Sequence, residues 1–209
     1  MSRPGQIVEP PQVPHGATAR RLEWPLLPPP LRREIERRLG SPVRTADTAG
    51  AGFTPGFASV LTGEDGRRLF VKAASRKAQR VFADSYAQEI RRLRALPPGL
   101  PVPRLVWSLE DDDWVVLALE YVDGPNPDRP WRGEQLDACL DTLAELAEAL
   151  TPPPMVLPRF GDDFAEFVTG WDHVRQVRPG WPHLEEAAAL AAGFGTVTAG
   201  ETLVHTDAR

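Results

Sequence analysis

One lysine and one glutamate in this sequence occupy positions where each needs a partner of opposite charge. Lys72 lies inside the apolar run LFVKA (residues 69–73), which is typical of a buried strand. Because an unpaired buried ammonium is costly, this lysine either faces solvent or meets a carboxylate. Glu89 shares one face of a predicted helix with Phe82, Tyr86, Leu93 and Leu96. We therefore predict that Glu89 docks on the sheet and pairs with Lys72; a solvent-facing Glu89 is the alternative.

Three closely spaced glycines could supply a backbone site for an anion. Gly50, Gly52 and Gly56 precede a predicted strand. Glycine lets the backbone bend sharply and brings its N–H groups close to a ligand. The segment is not a Walker A loop, because neither Gly-Lys-Ser/Thr nor a helix follows it. A hairpin that binds no ligand would use the same residues, so both interpretations stay open at this point.

Two further segments place polar residues after apolar runs. Glu120, Tyr121 and Val122 follow a buried run where the pattern changes from strands to helices, and their backbone could bind the edge of a base. A plain interdomain turn would contain the same residues. Near the end of the chain, a predicted strand over residues 202–204 leads to His205 and Asp207. There an aspartate could accept the proton of an attacking hydroxyl while a histidine holds the loop, although such a pair means nothing alone.

The beginning of the chain predicts an arm and a short helix. Residues 1–30 are rich in proline and have no sustained hydrophobic period, which indicates a flexible or extended arm. Leu31, Ile35 and Leu39 then fall on one helical stripe, and Gly40 ends the helix.

The rest of the chain predicts a sheet followed by helices. One helix, at about residues 76–96, interrupts the predicted strands, which cover residues 57–61, 69–71, 105–109 and 114–119. After Gly124 two apolar stripes recur at helical spacing. This order predicts an α+β fold. The expected parts are residues 1–42 (arm and short helix), 43–121 (sheet lobe) and 122–209 (helical lobe).

Composition excludes several classes of protein. The net charge of −5 gives no basis for nucleic-acid binding. A single cysteine, Cys139, rules out an intramolecular disulfide framework and fits a reducing cytosol. The first residues lack the apolar core of a secretory signal, and the longest clean apolar stretch is too short to cross a bilayer. We expect a soluble cytoplasmic protein without nucleic-acid, membrane or evident protein partners.

Five features follow one another along the chain: the glycine-rich segment, the strand lysine, the helix glutamate, the segment 120–122 and the final His-x-Asp. In this chain order they resemble the parts of the protein-kinase fold. The resemblance is closest to the aminoglycoside phosphotransferases, small-molecule kinases that share this fold. It begins at about residue 43 and is carried by segments 52–59, 119–124 and 203–207. The resemblance implies a protein-kinase-like α+β fold. An antiparallel-sheet N-lobe with one inserted helix would precede a partial helical C-lobe.

The resemblance also implies a role for each candidate residue. Lys72 would hold the α- and β-phosphates of ATP or GTP, and Glu89 would hold Lys72. The backbone of the glycine-rich segment would cover the phosphates, and a hydroxyl of Thr54 or Ser59 would assist. The segment from Glu120 to Val122 would bind the base. Asp207 would be the catalytic base, braced by His205, with Mg²⁺ as the metal cofactor of the complete protein.

The chain departs from this family near its end. Thr206 stands where the family usually has glycine, and Ala208 replaces a larger apolar residue. The family's loop continues to a metal-binding Asn five residues after the aspartate and then to a metal-binding Asp, and both positions lie beyond Arg209. We therefore expect a portion of the family's sequence that ends within the catalytic loop, without metal ligands and inactive by itself.

The expected function is transfer of phosphate from ATP or GTP to a hydroxyl of a small molecule. The alternative is a nucleotide-binding module without catalytic activity, similar to a pseudokinase. A protein kinase is a third possibility, disfavoured because His205-Thr206-Asp207 lacks the arginine of that group's loop.

Overall fold

A computed structural model describes residues 21–50, 54–124 and 132–206. The chain divides into two compact units. The first comprises Met1–Leu96 and Val102–Asn126, and the second comprises Pro97–Pro101 and Pro127–Arg209.

The first unit is built on a five-stranded antiparallel sheet. Its strands are β1 (Val43–Thr48), β2 (Phe57–Gly63), β3 (Arg68–Ser75), β4 (Leu105–Glu110) and β5 (Trp114–Glu120), in the spatial order β1-β2-β3-β5-β4. Helix α1 (Pro29–Leu39) precedes the sheet and helix α2 (Arg80–Ala95) connects β3 to β4. The four predicted strands are confirmed. β2, β4 and β5 begin at the predicted residue and end later than predicted, and β3 is longer than predicted at both ends. The sheet also gains β1, which was not predicted.

Helix α1 covers one face of the sheet because its apolar residues form a single stripe. Leu31, Ile35 and Leu39 are all buried, as the spacing predicts. They pack with Phe57 and other inward residues of β2, β3 and β5. Gly40 ends the helix with a φ of 87°, a left-handed conformation that glycine adopts without steric cost.

The described end of the segment predicted to be an arm also packs on this face. Leu27 is 1% exposed, and the ring of Trp24 lies 6.1 Å from that of Phe57. A 3₁₀ turn, Trp24–Leu26, connects the two contacts. Prolines prevent a regular apolar period here, but they leave isolated large side chains free to be buried. From residue 21 onward, this segment is therefore part of the folded unit rather than a free arm.

Helix α2 covers the opposite face of the sheet. Ala83, Tyr86, Ala87 and Ile90 are its buried residues, and they pack against Ala74, Val115, Leu117 and Leu119. The helix begins at Arg80, later than the predicted residue 76. The difference arises because the Arg76 N–H donates to the carbonyl of Asp113 (2.8 Å), which keeps the chain in a turn after β3.

The second unit is helical in its described residues. Its helices are α3 (Gly133–Ala149), α4 (Phe160–Asp163), α5 (Glu166–Val177), α6 (Leu184–Ala192) and α7 (Phe194–Val197). Trp171 of α5 stacks on Trp181 with a ring separation of 5.9 Å. Along α3, Leu136, Leu140 and Leu143 remain exposed, so the apolar stripe predicted there is not covered by the described residues.

The prediction of a strand over residues 202–204 was wrong. Within residues 132–206 the structure contains no strand with which this segment could pair. Its polar groups bond instead to the end of α3, where the Leu203 N–H donates to the Leu150 carbonyl (3.1 Å). The hydroxyls of Thr202 and Thr151 also form a hydrogen bond of 2.6 Å.

The described residues include no helix with the length and apolar character needed to span a membrane.

Replacing Leu27 tests whether the early segment belongs to the fold. We expect Leu27→Ala to lower the free energy of unfolding by about 2–5 kcal/mol, because it leaves a cavity under the sheet. Its neighbour Leu26 is 66% exposed, so Leu26→Ala should change stability by less than about 0.5 kcal/mol. Urea denaturation of both variants measures this difference. Equal, small effects would show that the segment does not pack on the sheet.

Candidate functional site

An ion pair connects the sheet to helix α2 in the first unit. The Lys72 Nζ lies 2.8 Å from Oε1 and 3.0 Å from Oε2 of Glu89. The two side chains are 24% and 31% exposed, so the pair lies at the margin of the interface and within reach of solvent. The predicted pairing is confirmed.

The sheet register explains why Lys72 faces the helix. Side chains alternate between the two faces of a strand, so Phe70, Lys72 and Ala74 of β3 point to the same side. Phe70 and Ala74 both pack in the core that α2 covers. Lys72 therefore has to place its ammonium under the helix, where Glu89 supplies the counter-charge.

The helical spacing places Glu89 on the docking face of α2, but the structure puts it at the border of the buried stripe and not in its middle. The deepest residues of α2 are Ala83, Tyr86, Ala87 and Ile90, and Glu89 borders them. The two alanines are small enough to let the helix approach the sheet along that line. With this line of α2 facing the sheet, the Glu89 carboxylate lies at the edge of the contact. There it reaches Lys72 without losing all of its hydration.

The geometry of the pair leaves donor capacity on the lysine. An ammonium has three N–H groups, and contacts with two carboxylate oxygens use two of them. The ring of Tyr86 lies 5.7 Å from Nζ and forms one wall beside the charge. A held, partly exposed ammonium of this kind can bind a further anion such as a phosphate oxygen.

The glycine-rich segment enters β2 next to this pair. A Cβ atom on Gly56 would lie 2.9 Å from the Ala73 carbonyl oxygen and 3.2 Å from the Tyr86 hydroxyl, so only glycine fits without displacing the backbone. The Thr54 hydroxyl accepts a hydrogen bond from Arg21 (3.4 Å). Gly50 lies just after β1, and Gly52 falls outside the described residues.

Ser59 is not brought to the site. It pairs with Val71 across β2 and β3, on the face that α1 covers, whereas Lys72 pairs with Ala58 on the other face. The Ser59 hydroxyl is buried and donates to the Thr48 hydroxyl (3.3 Å). Because one step along a strand reverses the face, this side chain cannot reach an anion held by Lys72.

An apolar row beside Lys72 was missed in the sequence. Val60, Phe70 and Leu119 are direct cross-strand neighbours on β2, β3 and β5. They share the face of Lys72, and Val60 and Phe70 are only half-buried. Such a row can support a flat aromatic ligand next to the ammonium. Strand alternation alone identifies the three residues, but only the register shows that they are adjacent.

The last residue of β5 and the residue after it have their side chains engaged by arginines. Glu120 pairs with Arg104 (2.8 Å), and the hydrogen bond from that guanidinium lowers the pKa of the Glu120 carboxyl. The Tyr121 ring lies 3.8 Å from the Arg68 guanidinium carbon, a cation–π contact. The Glu120 N–H donates to the Arg104 carbonyl (2.9 Å).

Val122 differs from Glu120 and Tyr121, whose side chains contact arginines. Its side chain is exposed, and no backbone hydrogen bond joins its N–H to another described residue. The backbone of this segment, rather than its side chains, is therefore the part that could bind the edge of a base.

The remaining candidates lie at the end of the second unit. His205 is exposed and follows the irregular segment after residue 201, and Asp207 falls outside the described residues. Among residues 21–50, 54–124 and 132–206, no three His, Cys, Asp or Glu side chains cluster closely enough to hold a metal ion. No described residue is therefore assigned as a ligand of Mg²⁺.

Comparison with known families agrees with this geometry. Residues 52–209 match APH, the phosphotransferase enzyme family. The chain belongs to this family. The predicted family and the predicted protein-kinase-like α+β fold are thereby confirmed, since the antiparallel sheet carries one inserted helix and is followed by helices.

Solved structures overlap with this family member only in part. One is described as a fructosamine-3-kinase from Haemophilus somnus 129PT, with 11% sequence identity and a TM-score of 0.39; the alignment covers 82% of this chain and 61% of that one. Another is Rad53 1-466 in complex with AMP-PNP, with 16% identity and a TM-score of 0.28; the alignment covers 62% of this chain and 29% of that one. No curated protein sequence matches the chain. Family membership therefore rests on the sequence match.

Replacing Gly56 tests the close approach of the glycine-rich segment to β3. We expect Gly56→Ala to lower the free energy of unfolding by about 1–3 kcal/mol, because the added methyl group meets the Ala73 carbonyl. Gly133 at the start of α3 has open space around it, so Gly133→Ala is a matched control with little or no loss. Urea denaturation compares the two variants. A Gly56→Ala protein as stable as wild type would contradict the packing described here.

Proposed function

We propose that this phosphotransferase transfers a phosphate group from ATP or GTP, bound with Mg²⁺, to a hydroxyl of a small molecule. The observation that carries the proposal is the Lys72–Glu89 pair beside Gly56. It places a held positive charge next to a position, Gly56, where a side chain would collide with the backbone of β3. A nucleotide carries several negative charges on its phosphates, and such a pair is suited to neutralise them.

The first unit supports a binding mode for the whole nucleotide. The Lys72 ammonium, oriented by Glu89, would contact the phosphates, and the backbone around Gly50 and Gly56 would cover them. The base would lie against the row of Val60, Phe70 and Leu119 that borders the lysine. The backbone at Val122 would then bind the edge of the base.

The second unit would contribute the chemistry of transfer. Asp207 is the proposed base for the attacking hydroxyl, and His205 the residue that steadies its loop. This assignment is supported by the match of residues 52–209 to the phosphotransferase family. The acceptor proposed is an aminoglycoside-type alcohol. A cytoplasmic location belongs to the same proposal, since one unpaired cysteine suits a reducing compartment.

Nucleotide binding can be tested with the only two lysines in the chain. We expect Lys72→Met to weaken ATP and GTP binding by about ten- to a hundredfold, because a charge-assisted hydrogen bond to phosphate is lost. Adenosine, which has no phosphate, should bind both proteins equally. Lys77 is exposed and paired with Asp113, so Lys77→Met should bind ATP like wild type. Isothermal titration calorimetry provides the affinities.

Two results would contradict this proposal. Wild-type protein that binds neither ATP nor GTP would overturn nucleotide binding. Equal ATP affinity of wild type and the Lys72→Met variant would remove the lysine from the phosphate site.

Transfer is measured separately from binding. In a protein that also carries the family's metal-binding Asn and Asp, we expect labelled γ-phosphate of ATP to appear on an aminoglycoside or a related polyhydroxy acceptor, and Asp207→Asn to abolish the signal by removing the base. Residues 1–209 alone should transfer none. His183→Asn, at an exposed position before α6, is a control that should leave transfer unchanged. ATP binding without transfer to any acceptor would instead favour a non-catalytic nucleotide-binding module.

A further inference from the structure

The hydroxyl of Tyr86 is a feature of the candidate site that the ion pair and the glycine-rich segment do not explain. Tyr86 is 3% exposed, and its hydroxyl oxygen is buried without a hydrogen-bond partner among the described residues. Buried polar groups are almost always paired, because water has been removed from them. A hydroxyl of this kind is available to a ligand that reaches it, because it can donate one hydrogen bond and accept others.

The position of the hydroxyl identifies the kind of partner. Tyr86 lies on α2 three residues before Glu89, and its ring lies beside the Lys72 ammonium. Its oxygen lies 3.2 Å from the place that a Cβ of Gly56 would occupy. The hydroxyl is thus directed at the entry of the glycine-rich segment into β2, at the same end of the sheet as the ammonium.

The charges nearby favour an anionic acceptor. The Glu89 oxygens already accept from Lys72, so an incoming acceptor would meet a positive charge and a neutral donor side by side. Phosphate oxygens only accept hydrogen bonds, and a tyrosine O–H can donate one. Both donors can therefore bind oxygens of one phosphate, whose negative charge the Lys72 ammonium would offset.

We propose that Tyr86 is a further phosphate-binding residue, whose hydroxyl donates to a phosphate oxygen of the bound nucleoside di- or triphosphate. The inference rests on the proposed nucleotide binding. Because the oxygen is covered in the free protein, the segment at Gly56 has to shift away from α2 when the phosphates enter. Glycine, which has no side chain in that contact, allows this shift.

The variant Tyr86→Phe tests the inference because it removes the hydroxyl and keeps the ring. Affinity for ATP and ADP should fall about tenfold, as expected for loss of one hydrogen bond to a charged group. Affinity for adenosine should not change. Thermal stability of the free protein should stay the same or rise, because the variant loses an unpaired polar group.

Two additional measurements isolate the phosphate contact. The inhibition constant of inorganic tripolyphosphate, measured by competition with ATP, should be about tenfold higher for Tyr86→Phe than for wild type. Such a result would show that the effect does not need the base. Thr62→Val removes a buried hydroxyl near the far end of β2 and serves as the control, with wild-type affinity for all ligands.

Each other outcome has a separate meaning. Unchanged ATP affinity in Tyr86→Phe, while Lys72→Met binds ATP weakly, overturns the role of Tyr86 and leaves the proposed function intact. An equal loss for adenosine and ATP, or a lower thermal stability of the free variant, shows a structural hydroxyl and also overturns it. Failure of wild type to bind ATP, GTP and tripolyphosphate overturns the proposed function and this inference together.

Discussion

The ammonium of Lys72 lies on a sheet face that a helix must cover, and this requirement constrains much of the first unit. An unpaired charge at such an interface would be strongly destabilising, so α2 has to present a carboxylate at that point. It also has to bury its own apolar side chains. Ala83 and Ala87 let the helix lie close to the sheet, while Glu89 stays at the edge and reaches Nζ at 2.8 Å. The rotation of α2 about its axis satisfies both conditions.

The two faces of the sheet consequently serve different purposes. The face under α1 is apolar, with Leu27 and Ile35 packed against Phe57, and it holds the unit together. The face under α2 changes from an apolar core at Ile90 to the charged pair and the half-buried row beside it. A single strand supplies both faces through alternate residues. This is why Ser59, close to the glycine-rich segment in sequence, stabilises β1 and β2 instead of contributing to the candidate site.

The candidate site combines groups that are fixed with groups that are not yet satisfied. The Lys72 ammonium is held by two carboxylate oxygens, and the side chains of Glu120 and Tyr121 are held by arginines. By contrast, the described residues offer no hydrogen-bond partner to the Tyr86 hydroxyl and no backbone partner to the Val122 N–H. In the proposed function, the fixed charges would form a preorganised anion site, and the unsatisfied donors would be completed by the ligand.

The sequence by itself predicted the Lys72–Glu89 pair and most elements of the first unit. The apolar surroundings of Lys72 and the helical spacing of Glu89 predicted their ion pair, and alternating patterns predicted four of the strands. These features depend on local periodicity and on the cost of burying a charge, both of which can be read along a single chain. The order of the glycines, the pair and the later segments was also sufficient to predict the family.

Only the tertiary structure decided how these parts are registered against one another. It placed Val60, Phe70 and Leu119 in one row, moved Ser59 to the opposite face and packed Leu27 under the sheet. It also showed that residues 202–204 bond to the end of α3 instead of forming a strand. A strand needs a partner from elsewhere in the chain, and the orientation of a helix depends on the surface that it meets. Such contacts join residues far apart in sequence, so local patterns do not contain them.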